Sequence, residues 1–275
     1  MSLAVATPEA EADGYTPQMI ARVEDGVGWL IYANPRRRNA VTLGMWRQIP
    51  DLVRAFADDP AVNVVALRGE GHESFVSGAD ISEFDRVRST PETVEVYDDA
   101  VDGASKAISG LEKPTVAIIE TWCVGGGIAT ALTCDLRFAS DNTRFMLPAA
   151  KLGLGYRYGG IRALVDVVGM ANAKEIFFTA RRYSAEEALR MGLVNQVVPA
   201  ASFEEEARAY LASIAEGAPL TIRSAKLGIN AAVKDPDARD MAAVDASVAR
   251  CFASEDYVEG RRAFVEKRKP RFEGR

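Results

Sequence analysis

The sequence has few of the residues on which metal sites and disulfide-bonded folds depend. Its 275 residues include one histidine, His72, and three cysteines, Cys123, Cys134 and Cys251. A zinc site needs several cysteine or histidine ligands at short spacing, so no metal is expected. Three cysteines without a CxxC pair are too few for a disulfide scaffold, and they favour a reduced, cytoplasmic setting.

Several motifs and patterns are also missing. There is no GxSxG nucleophile elbow, no Walker loop and no Rossmann GxGxxG spacing. No apolar run approaches the ~20 residues of a membrane span, and residues 1–16, rich in Ala and Glu, predict a flexible tail rather than a secretory signal. The net charge of -6, with both signs mixed along the chain, argues against a nucleic-acid partner.

The remaining pattern alternates strands with helices and then becomes helical. Strand, crossover and strand in alternation predict parallel pairing, and hence an α/β core over residues 17–199. A helical C-terminal region is predicted over residues 200–275. Strands are predicted at 20–23, 27–31, 62–67, 115–119 and 136–139, and helices at 43–56, 91–108, 126–132, 203–215, 219–232, 238–252 and 255–264. The first two strands flank Glu24-Asp25-Gly26, whose Asp-Gly pair predicts a hairpin turn, and Thr42 can cap the first helix.

Two segments with small residues are candidates for chemistry. One is 75–81, which contains Ser77-Gly78-Ala79-Asp80-Ile81, and the other is 122–129, which contains Gly125-Gly126-Gly127. Glycines at a helix start let a ligand approach the backbone, where free N–H groups attract negative charge. Taken alone, such a turn is more often tight packing than an anion site.

These two segments belong to a longer series that resembles the crotonase (enoyl-CoA hydratase/isomerase) superfamily in order and spacing. The series comprises 78–81, 125–127, 134–135, 152–153, 159–160, 192–194, 197–199 and 263–272. The resemblance implies a crotonase-like spiral of ββα units forming two sheets. It also implies that the C-terminal helices assemble a homotrimer or a dimer of trimers. The substrate would be an acyl-CoA thioester, with coenzyme A as part of the substrate and no separate cofactor.

The resemblance also implies an oxyanion hole. Its donors would be the backbone N–H groups of Ala79 and Gly126, and loss of one such donor typically costs about 3–4 kcal/mol. Coenzyme A would contact the turn at Arg36, Arg38 and Ala40. Arg36 and a C-terminal residue, Lys267, would bind its phosphates. The other substrate contacts implied are Ser77, Asp80, Ile81, Trp122, Gly125, Pro148, Leu152, Arg157 and Phe264.

The sequence departs from the family at the two glutamates that a hydratase uses to activate water. These positions are Ala129 and Ala149, and neither side chain can move a proton. The segment around Tyr156 resembles the methylmalonyl-CoA decarboxylase-like branch, where a tyrosine is catalytic, although that branch has a histidine at the position of Ala79. Decarboxylation yields the enolate without a base, and Arg157 would bind a substrate carboxylate if it faced the pocket.

Three functions are therefore open. The first is a decarboxylase-like lyase or another non-hydratase acyl-CoA enzyme. The second is a hydratase or isomerase that uses a different acid/base residue, Tyr156 or Glu83. The third is an acyl-CoA-binding protein without catalysis.

Overall fold

The computed structural model describes residues 15–275, so most of the predicted tail, residues 1–14, lies outside the described part. The strands are β1 Gln18–Glu24, β2 Val27–Ala33, β3 Val64–Gly69, β4 Thr115–Ile119, β5 Trp122–Val124, β6 Leu136–Ser140, β7 Arg144–Met146, β8 Arg182–Ser184 and β9 Gln196–Val198. The helices are α1 Leu43–Asp58, α2 Phe84–Val87, α3 Pro91–Ser109, α4 Gly126–Leu132, α5 Ala149–Leu152, α6 Tyr158–Thr179, α7 Ala185–Arg190, α8 Phe203–Ala215, α9 Pro219–Ala232, α10 Met241–Phe252 and α11 Glu255–Glu266.

The strands form two sheets. The larger has the order β1-β2-β3-β4-β6-β9, in which only the β1–β2 pair is antiparallel, and the smaller has the order β5-β7-β8. The first turn contains Asp25 and Gly26, both at positive φ (50° and 78°), as a two-residue hairpin turn of type I′ requires. The predicted hairpin and the predicted parallel core are confirmed.

Both faces of the larger sheet are buried, as is typical of parallel sheets. On β3, Val65 and Leu67 belong to the core that includes α1 and α3, whereas Val64 and Ala66 face Phe203 and other residues of α8. This two-sided burial explains why β3 is an apolar run rather than an alternating one.

Several predicted boundaries differ from the observed ones by one to three residues, and local hydrogen bonds explain two of these differences. The strand predicted from residue 62 begins at Val64, because Val62 and Asn63 close a turn onto Asp59 and Gly26. The helix predicted from residue 238 begins at Met241, because the side chain of Asp240 accepts from Ala243 N at 2.9 Å and caps it there. The sequence analysis also did not predict α6.

The C-terminal region is helical from α8 to α11, as predicted. Within residues 15–275, none of the helices has the length and apolar character needed to cross a membrane.

Candidate active site

In the loop after β3, the backbone N–H of Ala79 points away from the extended segment at Val41, to which both of its chain neighbours are hydrogen-bonded. Val41 N donates to Gly78 O at 2.8 Å, and Asp80 N donates to Val41 O at 3.0 Å. Because these two bonds flank Ala79 in an extended bridge, its own N–H points to the opposite side.

The second donor candidate begins α4. Gly125 takes φ 53° and ψ -111°, which re-aims the chain from β5 into the helix and leaves Gly126 at its first position. A Cβ added to Gly126 would lie 3.5 Å from Ala79 N, and one added to Gly78 would lie 3.8 Å from Gly126 N. The two loops therefore meet at these two amides.

Neither amide is used in the part of the chain that the structure describes. Within residues 15–275, the backbone N–H groups of Ala79 and Gly126 have no hydrogen-bond acceptor. Neither residue is fully buried. Two unused backbone donors therefore lie close together at this point.

Next to this pair, the glycine-rich turn packs closely and is lined by small residues. A Cβ on Gly127 would meet Val76 O at 2.2 Å, so only glycine fits there. A Cβ on Gly125 would lie 3.9 Å from Pro148, which brings Pro148 to the turn. Ala149 follows it at 4% exposure, and Ala129 lies half-buried on the first turn of α4.

The carboxylate of Asp80 is bound by Ser82 of its own loop and by Arg37 of the basic turn. Its buried carboxylate accepts from Ser82 N at 3.0 Å and Ser82 Oγ at 2.6 Å, and it pairs with Arg37 at 3.5 Å. These bonds hold the loop that carries Ala79 and indicate a structural role for Asp80.

The carboxylate of Glu83, one of the two alternative acid/base residues, also accepts hydrogen bonds from other residues. One of its carboxylate oxygens accepts from Leu43 N at 3.0 Å, at the start of α1, and the other accepts from Arg86 at 2.7 Å. Both carboxylate oxygens of Glu83 therefore already have donors, one at the N-terminus of α1 and one on an arginine.

The basic turn at 35–38 is held by two buried asparagines that the sequence analysis missed. Asn39 donates to Glu70 O at 3.0 Å and Ser74 O at 2.8 Å, and its Oδ1 accepts from Asn34 N at 3.1 Å. Asn39 lies at φ 57°, and asparagine tolerates this region better than most residues. The available signal was this asparagine directly after a basic turn.

The same turn is tied to the loop that carries Ala79. Ser77 Oγ donates to Arg37 O at 3.0 Å, and Ser77 N donates to Arg38 O at 3.2 Å. Ala40 is buried, whereas Arg36 and Arg38 are exposed. The predicted coenzyme A turn and one predicted oxyanion donor therefore lie side by side.

Tyr156 lies between α5 and α6 and packs against the main core. Its ring meets Phe177 edge to face at 5.1 Å between centroids, and its hydroxyl has no hydrogen-bond partner within residues 15–275. Burial raises the pKa of Tyr156 to about 12. A phenol with this pKa is protonated at neutral pH, so it can donate a proton but is a poor base.

Arg157 is paired with carboxylates of α3. Its guanidinium lies 3.0 Å from Asp102 Oδ2 and 3.8 Å from Asp98 Oδ2, and its side chain is 57% exposed. The sequence analysis missed these two acidic residues, although their i, i+4 spacing on one helix places them on one face.

The other predicted contacts are dispersed. Ile81 and Leu152 are exposed, and Trp122 is half-buried under the guanidinium of Arg182, 5.3 Å from its ring centroid. Phe264, 87% exposed, lines a groove among α9, α10 and α11 with Val248 and Phe252. Lys267 ends α11 at φ 54°. Within residues 15–275 there is no group of three or more histidine, cysteine or acidic residues arranged to hold a metal ion.

Comparison with known proteins defines the class. The sequence profile described as enoyl-CoA hydratase/isomerase matches residues 22–275. The chain therefore belongs to the enoyl-CoA hydratase/isomerase family, the crotonase superfamily, and is an enzyme with the α/β crotonase fold.

Individual relatives cover nearly the whole chain. The chain is 33% identical over 253 residues to a short-chain-enoyl-CoA hydratase of Clostridium acetobutylicum, covering 91% of this chain and 95% of that protein. It is 34% identical over 254 residues to a crotonyl-CoA hydratase of Syntrophomonas wolfei, covering 92% and 97%. A crystal structure of an enoyl-CoA hydratase/carnithine racemase from Magnetospirillum magneticum superposes with a TM-score of 0.89 at 34% identity, covering 94% and 96%.

These relatives are named as hydratases, and they do not support the decarboxylase-like branch that the segment around Tyr156 suggested. The superfamily prediction is confirmed, whereas the branch stays a prediction.

Proposed function

We propose that this enzyme binds an acyl-CoA thioester with its carbonyl oxygen between the backbone N–H groups of Ala79 and Gly126. The reaction would form a thioester enolate without a pair of glutamates. The observation that carries the proposal is the adjacency of two backbone donors that have no acceptor within residues 15–275. Two such donors stabilise an oxygen on which negative charge develops.

Decarboxylation of a β-carboxyl thioester is the most concrete form of this chemistry. The bond between the α-carbon and the carboxylate breaks, and its electron pair forms the enolate, whose charge rests on the thioester oxygen. CO₂ leaves, and protonation of the α-carbon completes the reaction. No base removes a carbon-bound proton, so alanine at 129 and 149 is compatible with every step.

Tyr156 is the proposed proton donor. Its hydroxyl has no partner within residues 15–275, and a pKa of about 12 keeps it protonated at neutral pH. After it donates to the α-carbon, the phenolate would regain a proton from water. The same pKa makes Tyr156 unsuited to activate a water molecule.

The second candidate function is hydration or isomerisation of an enoyl-CoA, and the names of the relatives favour it. Hydration needs a group that activates water, in place of Ala129 and Ala149. Glu83 is held by Leu43 N and Arg86, and Tyr156 is held in its protonated form, so neither is a ready base.

Coenzyme A binding is proposed for the basic turn and the C-terminus. The exposed Arg36 and Arg38 would contact its phosphates and adenine, together with Lys267 and Phe264. We further propose that the chain forms a homotrimer or a dimer of trimers through its C-terminal helices. The exposed apolar side chains of these helices support this assembly, and they are Ile229, Val233, Phe252, Val258, Phe264 and Val265. Light scattering of the purified protein would test the assembly.

Product analysis by mass spectrometry tests the reaction. The purified protein is offered methylmalonyl-CoA and crotonyl-CoA in separate reactions. The proposal expects propionyl-CoA and CO₂ from the first and no hydration of the second. Efficient hydration of crotonyl-CoA would favour the second candidate and would mean that another acid/base residue replaces the glutamates.

A further inference from the structure

The segment that carries Tyr156 has few restraints of its own. Between α5 and α6, residues 153–157 contain two glycines, Gly153 and Gly155, and form no helix or strand. Leu154 N donates to Ala149 O at 3.1 Å, but Gly155 and Tyr156 donate no backbone hydrogen bond to any of residues 15–275. Because glycine allows many backbone conformations, this segment is fixed by the packing of the Tyr156 ring on Phe177 and by contacts with other elements.

Arg157 supplies a connection to α3. Its ion pairs with Asp102 at 3.0 Å and Asp98 at 3.8 Å are the charged contacts that the segment makes outside itself within residues 15–275. They join the residue next to Tyr156 to a helix of 19 residues with a capped N-terminus.

Asp98 extends this connection toward the loop of Ala79. Its other oxygen lies 3.4 Å from Arg88, whose guanidinium lies over the rings of Phe84 and Tyr97 at 5.2 and 5.0 Å. Phe84 begins α2, four residues after Asp80. Arg88, Asp98 and Arg157 therefore link the loop of one proposed oxyanion donor to the segment of the proposed proton donor.

We infer that Arg157 is a positioning residue, and that its ion pairs with Asp98 and Asp102 hold Tyr156 at the angle needed to protonate the substrate. The inference rests on the proposed function, since it concerns the hydroxyl of Tyr156. It differs from the predicted role of Arg157 as a substrate-carboxylate ligand, which stays a prediction.

The first test is a double-mutant cycle on the full-length enzyme, using the substrate that gives product. Arg157→Ala should lower kcat by about two- to fivefold, the range that an exposed ion pair supports, with a smaller change in KM. Arg157→Lys should restore most of the loss. In a Tyr156→Phe background, Arg157→Ala should change kcat no further, because the group that it positions is gone.

A matched control is available on α6. Arg162 is 55% exposed and pairs with Asp166 of the same helix at 2.7 Å, so it makes an ion pair of similar exposure that does not reach α3. Arg162→Ala should leave kcat unchanged. Equal losses from Arg157→Ala in both Tyr156 backgrounds would overturn the inference. So would a change in KM alone for a carboxylate-bearing substrate, which would indicate substrate binding instead.

Hydrogen–deuterium exchange separates this inference from the proposed function. Peptides covering residues 153–160 should exchange faster in Arg157→Ala and in Asp98→Asn/Asp102→Asn, but not in Arg162→Ala. Unchanged exchange in both variants would overturn the inference alone. An unchanged kcat in Tyr156→Phe would overturn the catalytic use of Tyr156 and, with it, this role of Arg157.

Discussion

Gly126 and Ala79 meet backbone to backbone: a Cβ added to Gly126 would lie 3.5 Å from the amide nitrogen of Ala79. They are 47 positions apart in the sequence, and the parallel bridge between Val76 and Cys123 brings their loops together. The space between the two amides is where the account places the thioester oxygen, so substitutions that fill it are informative.

Gly126→Ala should abolish most activity without unfolding the protein. The added methyl group makes only ordinary van der Waals contact, yet it occupies the space of the thioester oxygen. The backbone N–H of residue 126 remains, but a methyl group that keeps the oxygen from it should act like the loss of one oxyanion donor, which typically lowers kcat by about 10²- to 10³-fold. Gly103→Ala on α3, where a Cβ would meet nothing within 4 Å, is the control and should keep full activity. Equal activity of the two variants, at equal melting temperatures, would remove Gly126 from the site.

Tyr156 should make the protein sensitive to alkali. Its pKa is about 12 in the folded state and 10.0 in the reference state, so the folded state holds the proton more tightly. The resulting stabilisation is fully present below pH 10 and is lost as pH rises through 12. Urea unfolding should be measured between about pH 8 and 11. As pH rises, the free energy of unfolding of wild type should fall relative to that of Tyr156→Phe. Tyr158→Phe, at a residue 75% exposed, is the control. Parallel pH curves for wild type and Tyr156→Phe would contradict the raised pKa of Tyr156.

Asn39→Ala should be among the more destabilising single changes near the site. It leaves the carbonyl groups of Glu70 and Ser74 without their side-chain donor, and it puts alanine at φ 57°. An unsatisfied buried group costs about 1–3 kcal/mol and a non-glycine residue in the left-handed region about 1–2 kcal/mol, so a loss of about 2–4 kcal/mol is expected. Chemical denaturation checks this value. A loss below about 0.5 kcal/mol, which is ordinary for a surface change, would mean that the turn is held by other contacts.

Arg38→Gln should weaken coenzyme A binding without affecting stability. Arg38 is exposed and has no ion-pair partner within residues 15–275, so its charge is available to a phosphate. The dissociation constant for coenzyme A, measured by calorimetry, should rise by about three- to tenfold, and the rise should shrink at high salt. Arg47→Gln, at an exposed position of α1, is the charge-matched control. An equal effect of the two variants would indicate nonspecific attraction rather than a site.

The sequence predicted the fold well where a local signal and the packing agree. The Asp25-Gly26 turn, the cap at Thr42 and the glycine-rich start of α4 each produce the element that their residues favour. The exact start of β3 could not be predicted, because it is set by pairing Val27 with Val64 rather than by local preference.

Candidate site residues were predictable from motifs but their partners were not. Ala79 and Gly126 stand in recognisable short motifs, whereas the contacts of Arg157 with Asp98 and Asp102 depend on how a glycine-containing segment lies across α3. Likewise, nothing near Glu83 in the sequence indicates that its carboxylate accepts a bond from Leu43, 40 residues earlier. Long-range contacts between side chains from different elements leave no local pattern in the sequence.

The most direct test of the account is a crystal structure of the enzyme with a nonreactive acyl-CoA analogue that keeps the carbonyl group. The carbonyl oxygen is expected to lie about 2.7–3.1 Å from both the Ala79 and the Gly126 amide nitrogens. A well-ordered acyl-CoA whose carbonyl oxygen contacts neither amide would contradict it.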